Sequence, residues 1–325
     1  KHAKRVYKKI QPIAICLMAA LFYFYEFAQR VLPSSASDHL MLHFNITAQG
    51  LGFLASLFYY GYTPMQIPSG LLFDKFGPRL LMTLAMLCCG LVTIIFATTD
   101  SYTVAAIARF VIGFMSAFAF VGALVLVARW LPSKFFALGV GCVQLLGSVG
   151  AIVGERPIVV LLKQYGWQET TMGIAYLGIL LALLFWLVIR DNPEAEQHEI
   201  TSEFSLSYLK DVVSARQNWA ASVYVFCLWA PISVFAVMWG PAFVQALMHV
   251  SIASAAGAVA VIWIGNAIGG PIVGWLSDTF ASRKIPMIIA AGVAMIATGS
   301  LIFAHHFAWS WLYAVLFVFG FAASI

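Results

Sequence analysis

Five ionisable residues lie inside long apolar stretches of this sequence, where a charged side chain is costly and marks a candidate functional site. They are Glu26, Arg30, Arg109, Glu155 and Arg156. A carboxylate in an apolar site can bind and release a proton, and a guanidinium can anchor an anionic group in a fixed geometry. The chemistry that these residues offer is therefore proton exchange and anion binding.

Glu26 and Arg109 form the leading candidate site. At about 1.5 Å per residue, Glu26 lies about 20 Å from the start of its apolar stretch, and Arg109 about 10 Å from the start of its own. We interpret Glu26 as a proton-coupling carboxylate and Arg109 as its partner or as the anchor for an anionic solute; a permanent ion pair between two helices is the alternative. Arg30 is expected to extend to the membrane interface, with solute contact as the alternative. Glu155 and Arg156 are expected to be solvated at the interface, with gate pairing as the alternative.

Polar residues near these charges give a weaker signal. Tyr23 shares a helix face with Glu26, and Tyr59 places a second hydroxyl in the next apolar stretch. Such tyrosines either orient a polar solute or form part of an aromatic belt. Gln245 and Asn266 are the candidates later in the chain, with helix packing as an equal alternative. The five cysteines lack metal or disulfide spacing, so we expect no metal and no other cofactor.

The composition shows which elements must position these residues. Of 325 residues, 62% are hydrophobic and 10% charged, whereas a soluble domain has about 45–50% and about 25%. This predicts an all-α polytopic membrane protein, because a spanning helix needs about 20 apolar residues and a barrel would instead show short alternating strands. The ten predicted helices are 12–32, 48–70, 80–99, 102–130, 135–162, 170–189, 219–247, 252–275, 285–304 and 308–325.

Charge placement predicts the orientation and the domain division. Basic residues are concentrated in the N-terminal tail and in alternate loops, which predicts a cytoplasmic N-terminus. The tail precedes an apolar run, so we interpret it as a membrane anchor rather than a nucleic-acid site. A polar, acidic linker at 191–218 separates an N-terminal six-helix bundle at 1–190 from a C-terminal bundle at 219–325. Four helices are visible in the second bundle, and we expect about two more beyond this sequence.

A motif follows the second predicted helix. Residues 70–79 read Gly-Leu-Leu-Phe-Asp-Lys-Phe-Gly-Pro-Arg, with the glycines, acid and bases at Gly70, Asp74, Lys75, Gly77 and Arg79. A degenerate copy at 274–284 follows the eighth helix and includes Asp278 and Arg283. This pair of motifs resembles the signature of the major facilitator superfamily. The resemblance implies two six-helix halves, alternating access, and a cytoplasmic gate in which Asp74 pairs with a basic group of the adjoining bundle.

Two further patterns refine the resemblance. Arg109, Gly113 and Ala117 are similar to a helix 4 pattern of this family, in which helices 1 and 4 line the cavity. Gly141, Gly150 and Gly154 match the start of a pattern found in proton-drug antiporters, but Glu155 stands where that pattern has proline. Helix packing by small residues is the favoured explanation of these glycines.

These observations separate the possible functions. The sequence lacks the phosphate-binding loop of nucleotide motors and the common hydrolase motifs, so an enzyme is not expected. Matched gate loops favour alternating access over a channel. We therefore expect a secondary transporter, monomeric and multi-pass, in a bacterial inner membrane, that takes up a small polar or anionic metabolite with a proton. Export of a drug or siderophore is the alternative.

Overall fold

The computed structural model describes residues 2–132, 136–189, 214–279, 284–303 and 308–324. Almost all of this part of the chain is helical, and it contains no strand. The first helix group, before the acidic linker, comprises α1 (His2–Ser35), α2 (Ser37–Phe44), α3 (Ala48–Phe76), α4 (Pro78–Thr98), α5 (Tyr102–Trp130), α6 (Phe136–Gly154), α7 (Arg156–Tyr165) and α8 (Trp167–Val188). The second helix group comprises α9 (Arg216–Val234), a π-helical turn (Phe235–Trp239), α10 (Gly240–Met248), α11 (Ile252–Thr279), α12 (Lys284–Phe303) and α13 (Trp309–Ala323).

The helices have the length and apolar character of membrane spans. Among the described residues, seven spans are long and apolar enough to cross a bilayer, or eight if α2 and α3, which meet at 109°, count as one. Shorter apolar helices occupy 287–303 and 309–323. Each of the ten predicted segments falls on one described helix or on consecutive helices, which confirms a multi-pass α-helical membrane protein.

Two predicted helices are interrupted. The segment predicted at 135–162 divides at Glu155 into α6 and α7, because Pro157 has no N–H to donate and its ring clashes with the carbonyl four residues earlier. The segment predicted at 219–247 contains the π-helical turn, which follows Pro231 and ends at Trp239, just before Gly240. A π turn commonly marks a place where a helix is adapted for function.

The same close packing recurs in both helix groups. A Cβ atom on Gly113 of α5 would lie 2.0 Å from the carbonyl oxygen of Phe58 on α3. A Cβ atom on Gly320 of α13 would lie 1.9 Å from the carbonyl oxygen of Ile262 on α11. Only glycine permits backbones to approach so closely. The pairs α3–α5 and α11–α13 are therefore packed in equivalent ways.

In the described part of the chain the two groups meet along a surface that we call the seam. Helix α11 packs against α6 and α7, and α1 packs against the π-helical turn and α10. Within the first group α1 is central, since it also contacts α3, α5 and α8. Residues on the inner face of α1 are thereby placed where both groups converge.

Candidate functional site

A buried ion pair lies on α1. Arg30 donates through Nε to Oε1 of Glu26 at 2.8 Å, and its Nη2 bonds the same oxygen. The residues are four apart, so they share one helix face. The second carboxylate oxygen of Glu26 is buried and has no hydrogen-bond partner in the described part of the chain.

Aromatic rings enclose the Arg30 guanidinium. Its Cζ atom lies 4.5 Å from the ring centre of Phe27, 4.7 Å from Tyr62, 5.3 Å from Phe58 and 5.7 Å from Tyr59. Rings at these distances stabilise a cation through their negative faces. The expectation that Arg30 extends to the interface is wrong, because its side chain is only 6% exposed.

Arg109 of α5 is the second buried cation of the site. Its Nη1 donates to the backbone oxygen of Gln29 at 3.1 Å, and its Cζ lies 5.2 Å from the ring centre of Phe58. The Nε atom is buried without a hydrogen-bond partner among the described residues. The salt-bridge partner of Glu26 is therefore Arg30, and Arg109 retains a free donor.

The charge of this cluster does not balance. Phe58 lies within about 5 Å of two guanidiniums, those of Arg30 and Arg109, while Glu26 supplies one carboxylate. An uncompensated charge in an apolar interior is unfavourable, so the site is suited to receive an anion. We call Glu26, Arg30, Phe58 and Arg109 the charged cluster.

Sequence reasoning missed the residue that joins α1 to α4. The buried Gln29 amide donates to the hydroxyl of Thr93 at 2.9 Å and also bonds the Tyr25 hydroxyl. These contacts hold the turn of α1 whose Gln29 carbonyl accepts the hydrogen bond from Arg109. The available signal was an amide side chain within an apolar run, where polar groups need partners.

A polar bridge joins the helix groups beside the charged cluster. Asn266 of α11 accepts from Nε2 of Gln144 and from Oγ of Ser148, each at 3.1 Å, and both donors lie on α6. The Tyr23 hydroxyl donates to Oε1 of Gln144 at 3.5 Å. Two predicted site residues, Tyr23 and Asn266, are thus connected through Gln144, which was not predicted.

The remaining predicted site residues, Tyr59 and Gln245, are not members of this polar bridge. The Tyr59 hydroxyl is buried beside Ser233 of α9. Gln245 is half-buried on α10, and no described contact joins it to the charged cluster. A separate apolar cavity of 530 Å³ opens between α1 and α6–α8 and includes Glu169 in its lining.

The gate motif forms the turn between α3 and α4. Gly77 has a φ of 74°, which requires glycine for a relaxed backbone, and a side chain at Gly70 would meet no atom within 4 Å. Asp74 pairs with Arg129 of α5 at 3.5 Å, a partner within its own helix group.

The other basic residues of the motif contact aromatic rings. Arg79 stacks at 4.2 Å on Trp186 of α8, and Lys75 lies 5.2 Å from the Phe76 ring. In the second copy, Asp278 lies near the end of α11, and Arg283 falls outside the described residues.

The position of Glu155 differs from the one predicted from the sequence. It was expected at a solvated interface, yet it is 0% exposed at the break between α6 and α7. The local reason is that the break turns the side chain toward α11, where the indole of Trp263 lies. Arg156 is exposed, and its Cδ would lie 3.1 Å from a Cβ on Gly257 of α11.

Comparison with known proteins gives consistent relatives. The family model described as Major Facilitator Superfamily matches residues 15–325. The chain is 26% identical over 287 residues to "Uncharacterized transporter YybO" of Bacillus subtilis, covering 80% of this chain and 64% of that protein. It is 24% identical over 304 residues to "Probable sulfoacetate transporter SauU" of Cupriavidus necator, covering 89% and 70%.

A drug-related transporter and a solved structure also match. The chain is 29% identical over 194 residues to "Quinolone resistance transporter" of Acinetobacter baumannii, covering 56% of this chain and 44% of that protein. The crystal structure of a bacterial homologue of the human lysosomal transporter Spinster superposes with a TM-score of 0.71 at 16% identity, covering 97% of this chain and 74% of that one. These relatives are transporters, and the structure shares the fold.

Proposed function

Because this chain belongs to the Major Facilitator Superfamily, we propose that it takes up a small organic anion together with a proton by alternating access. The charged cluster is the proposed binding site. The observation that carries the proposal is the excess of buried positive charge around Phe58, with two guanidiniums and one carboxylate. The proposed setting is a monomer in a bacterial inner membrane, with its N-terminus in the cytoplasm.

The proposed mechanism is competition for Arg30. When Glu26 is ionised, it occupies Arg30 and leaves the free donor of Arg109. A proton on Glu26 removes the carboxylate charge, so both guanidiniums can bind an anion. Departure of the anion favours the Glu26–Arg30 pair again and releases the proton. Binding of the anion and of the proton thereby favour each other.

The likeness to a probable sulfoacetate transporter supports an anionic substrate. Sulfoacetate carries a carboxylate and a sulfonate, and either group can accept two parallel hydrogen bonds from a guanidinium. Asn266, Gln144 and Tyr23 would contact the neutral part of the substrate from the seam. Gln245 and Tyr59 are proposed to complete the cavity.

The gate motif is proposed to control the cytoplasmic end. In this proposal Asp74 and Arg129 hold the α3–α4 turn in place, while Lys75, Arg79, Asp278 and Arg283 engage when that end closes. The units that move are the bundles at 1–190 and 219–325, connected by the linker at 191–218. Alternate contacts at the two ends of such bundles are the basis of alternating access.

The proposal is tested by thermal stability of the purified full-length protein in detergent. A ligand of the folded state raises the apparent melting temperature. We expect short dianionic carboxylates and sulfonates to stabilise the wild-type protein and not Arg109→Gln. Lys163→Gln, which removes an exposed cation, is the matched control and should respond like wild type. Equal stabilisation of Arg109→Gln would contradict anion binding at the charged cluster.

Export of a drug is the second candidate function, favoured by the likeness to a quinolone resistance transporter. Amphiphilic drugs would bind mainly through apolar contact. Stabilisation by such drugs, unchanged in Arg109→Gln and absent with small anions, would establish this alternative in place of anion uptake.

A further inference from the structure

Glu155 is a second buried carboxyl that the proposed mechanism does not use. It is 0% exposed, and both of its oxygens lack a hydrogen-bond partner of normal geometry among the described residues. The Trp263 indole nitrogen of α11 lies beside the carboxyl and is also buried without such a partner. The carboxyl therefore lies on the seam between the two helix groups.

The local sequence explains how an acidic residue reaches this position. A Cβ atom on Gly150 would lie 2.1 Å from the backbone oxygen of Phe24, and one on Gly154 would lie 2.1 Å from a methyl of Val31. These glycines bring α6 into direct contact with α1. Ser35 of α1 then donates to the carbonyl of Gly154 at 2.8 Å, which holds the end of α6. The chain turns at Glu155 and places its side chain against α11.

The charged groups of the surrounding helices do not neutralise Glu155. On α1, Glu26 and Arg30 are paired with each other. On α7, Arg156 is exposed and extends along Gly257, and Lys163 is exposed in the last turn of the helix. On α8, Glu169 is exposed, and on α11 the acidic Asp278 lies about 22 Å along the helix from Trp263.

An ionised carboxylate in this position would be a buried, unpaired charge, which is strongly unfavourable. The neutral acid avoids most of that cost, and its O–H can act as a donor. Opening of the seam would admit water and allow ionisation. Protonation and closure of the seam are thus thermodynamically linked, and each must favour the other.

We propose that Glu155 is a proton-binding site distinct from Glu26, and that its protonated form holds the α6–α7 and α11 seam closed. The proton leaves to water when the seam opens and returns before it closes. This inference rests on the proposed alternating access and adds a second proton-linked step to it. In the proposed orientation the part of the seam that contains Glu155 lies near the external side of the membrane, so an acidic external pH favours the closed seam.

The test is a cysteine reporter on the seam of the full-length protein. Ala256 is fully buried. Positions 256, 259, 263 and 266 are three or four residues apart, so Ala256 lies on the same face of α11 as Trp263 and Asn266. Ala256→Cys is introduced after replacement of the five native cysteines, and labelling by an impermeant maleimide is measured without substrate. A cysteine at the exposed Ser101, on the same side of the membrane, corrects for the pH dependence of the thiol itself.

We expect corrected labelling of Ala256→Cys to rise about fivefold or more from acidic to alkaline external pH. Glu155→Gln, which cannot ionise, should abolish the rise and keep labelling low, whereas Glu26→Gln should preserve the rise. A rise that persists in folded Glu155→Gln, or its absence in the reporter protein itself, would overturn the proposal. If Glu155→Gln does not fold, Glu155→Asp replaces it: the shorter acid should shift the pH midpoint of the rise, and an unchanged midpoint would overturn the proposal. No substrate is used, so failure of the proposed anion transport would not affect this result.

Discussion

Glu26 is the residue whose chemistry the proposed coupling depends on. Glu26→Gln keeps the size of the side chain and an oxygen that can accept from Arg30, but it cannot exchange a proton. We expect the variant to lose accumulation driven by a pH gradient and to keep exchange of labelled for unlabelled substrate in proteoliposomes. Glu169→Gln, which changes an exposed carboxyl of α8, is the control and should retain both. Loss of both activities in folded Glu26→Gln would indicate a structural ion pair instead.

At this scale the sequence identified the charged residues but not all of their partners. Glu26, Arg30 and Arg109 were recognisable because charges are rare in apolar runs. Arg30 lies four residues after Glu26, and such a pair can form within one helix, so it does not depend on how a second helix packs. Contacts of Arg109 with Phe58 and with the Gln29 carbonyl depend on how α1, α3 and α5 are rotated. That rotation results from packing and is not encoded in any local spacing.

At the scale of a single helix, the position of α6 at the seam depends on Gly150 and Gly154, which pack against α1. Gly150→Ala would place a methyl group 2.1 Å from the Phe24 oxygen, so α6 would have to move away from α1. We expect a loss of about 1–3 kcal/mol of stability, as for other overpacked cores. Gly141→Ala on the same helix is the matched control, because its new methyl meets no atom within 4 Å.

The measurement is the apparent melting temperature of both variants in detergent. A clear decrease is expected for Gly150→Ala, and little change for Gly141→Ala, since alanine also favours helix over glycine. Equal melting temperatures would show that α1 and α6 are not packed as described. The packing explanation of these glycines is supported at Gly150 and Gly154 and not at Gly141.

Helix existence was more predictable than helix continuity. The apolar runs located all ten segments, because the bilayer sets a minimum length for each. The Pro157 signal for the break at Glu155 was present, but the segment was interpreted as one helix. The π-helical turn at Phe235–Trp239 could not be located from sequence, since it depends on how the helix relieves the constraint that Pro231 imposes.

The whole molecule combines a repeated packing unit with one seam. The repetition of the α3–α5 contact in α11–α13 agrees with the repeated gate motif, and both follow from glycine and acid positions visible in the sequence. The bridge from Gln144 and Ser148 to Asn266 spans the seam. Its pairing was not predictable, because Gln144 and Ser148 lie 122 and 118 residues before Asn266 in the sequence.

If the helix groups separate at this seam during each cycle, joining them covalently must stop transport. Linking Ser148→Cys to Asn266→Cys by a short reducible bis-thiosulfonate is expected to abolish the substrate exchange that the unlinked double variant retains, and a reducing agent should restore that level. The matched control joins α4 to α5 inside the first group: native Cys89 lies 3.9 Å from the Ser116 hydroxyl, so Ser116→Cys supplies the second thiol. Those helices move together in the proposed mechanism, so this link should leave exchange nearly unchanged. Exchange that continues in fully linked Ser148→Cys/Asn266→Cys protein would show that the seam does not open, and alternating access between these two groups would have to be abandoned.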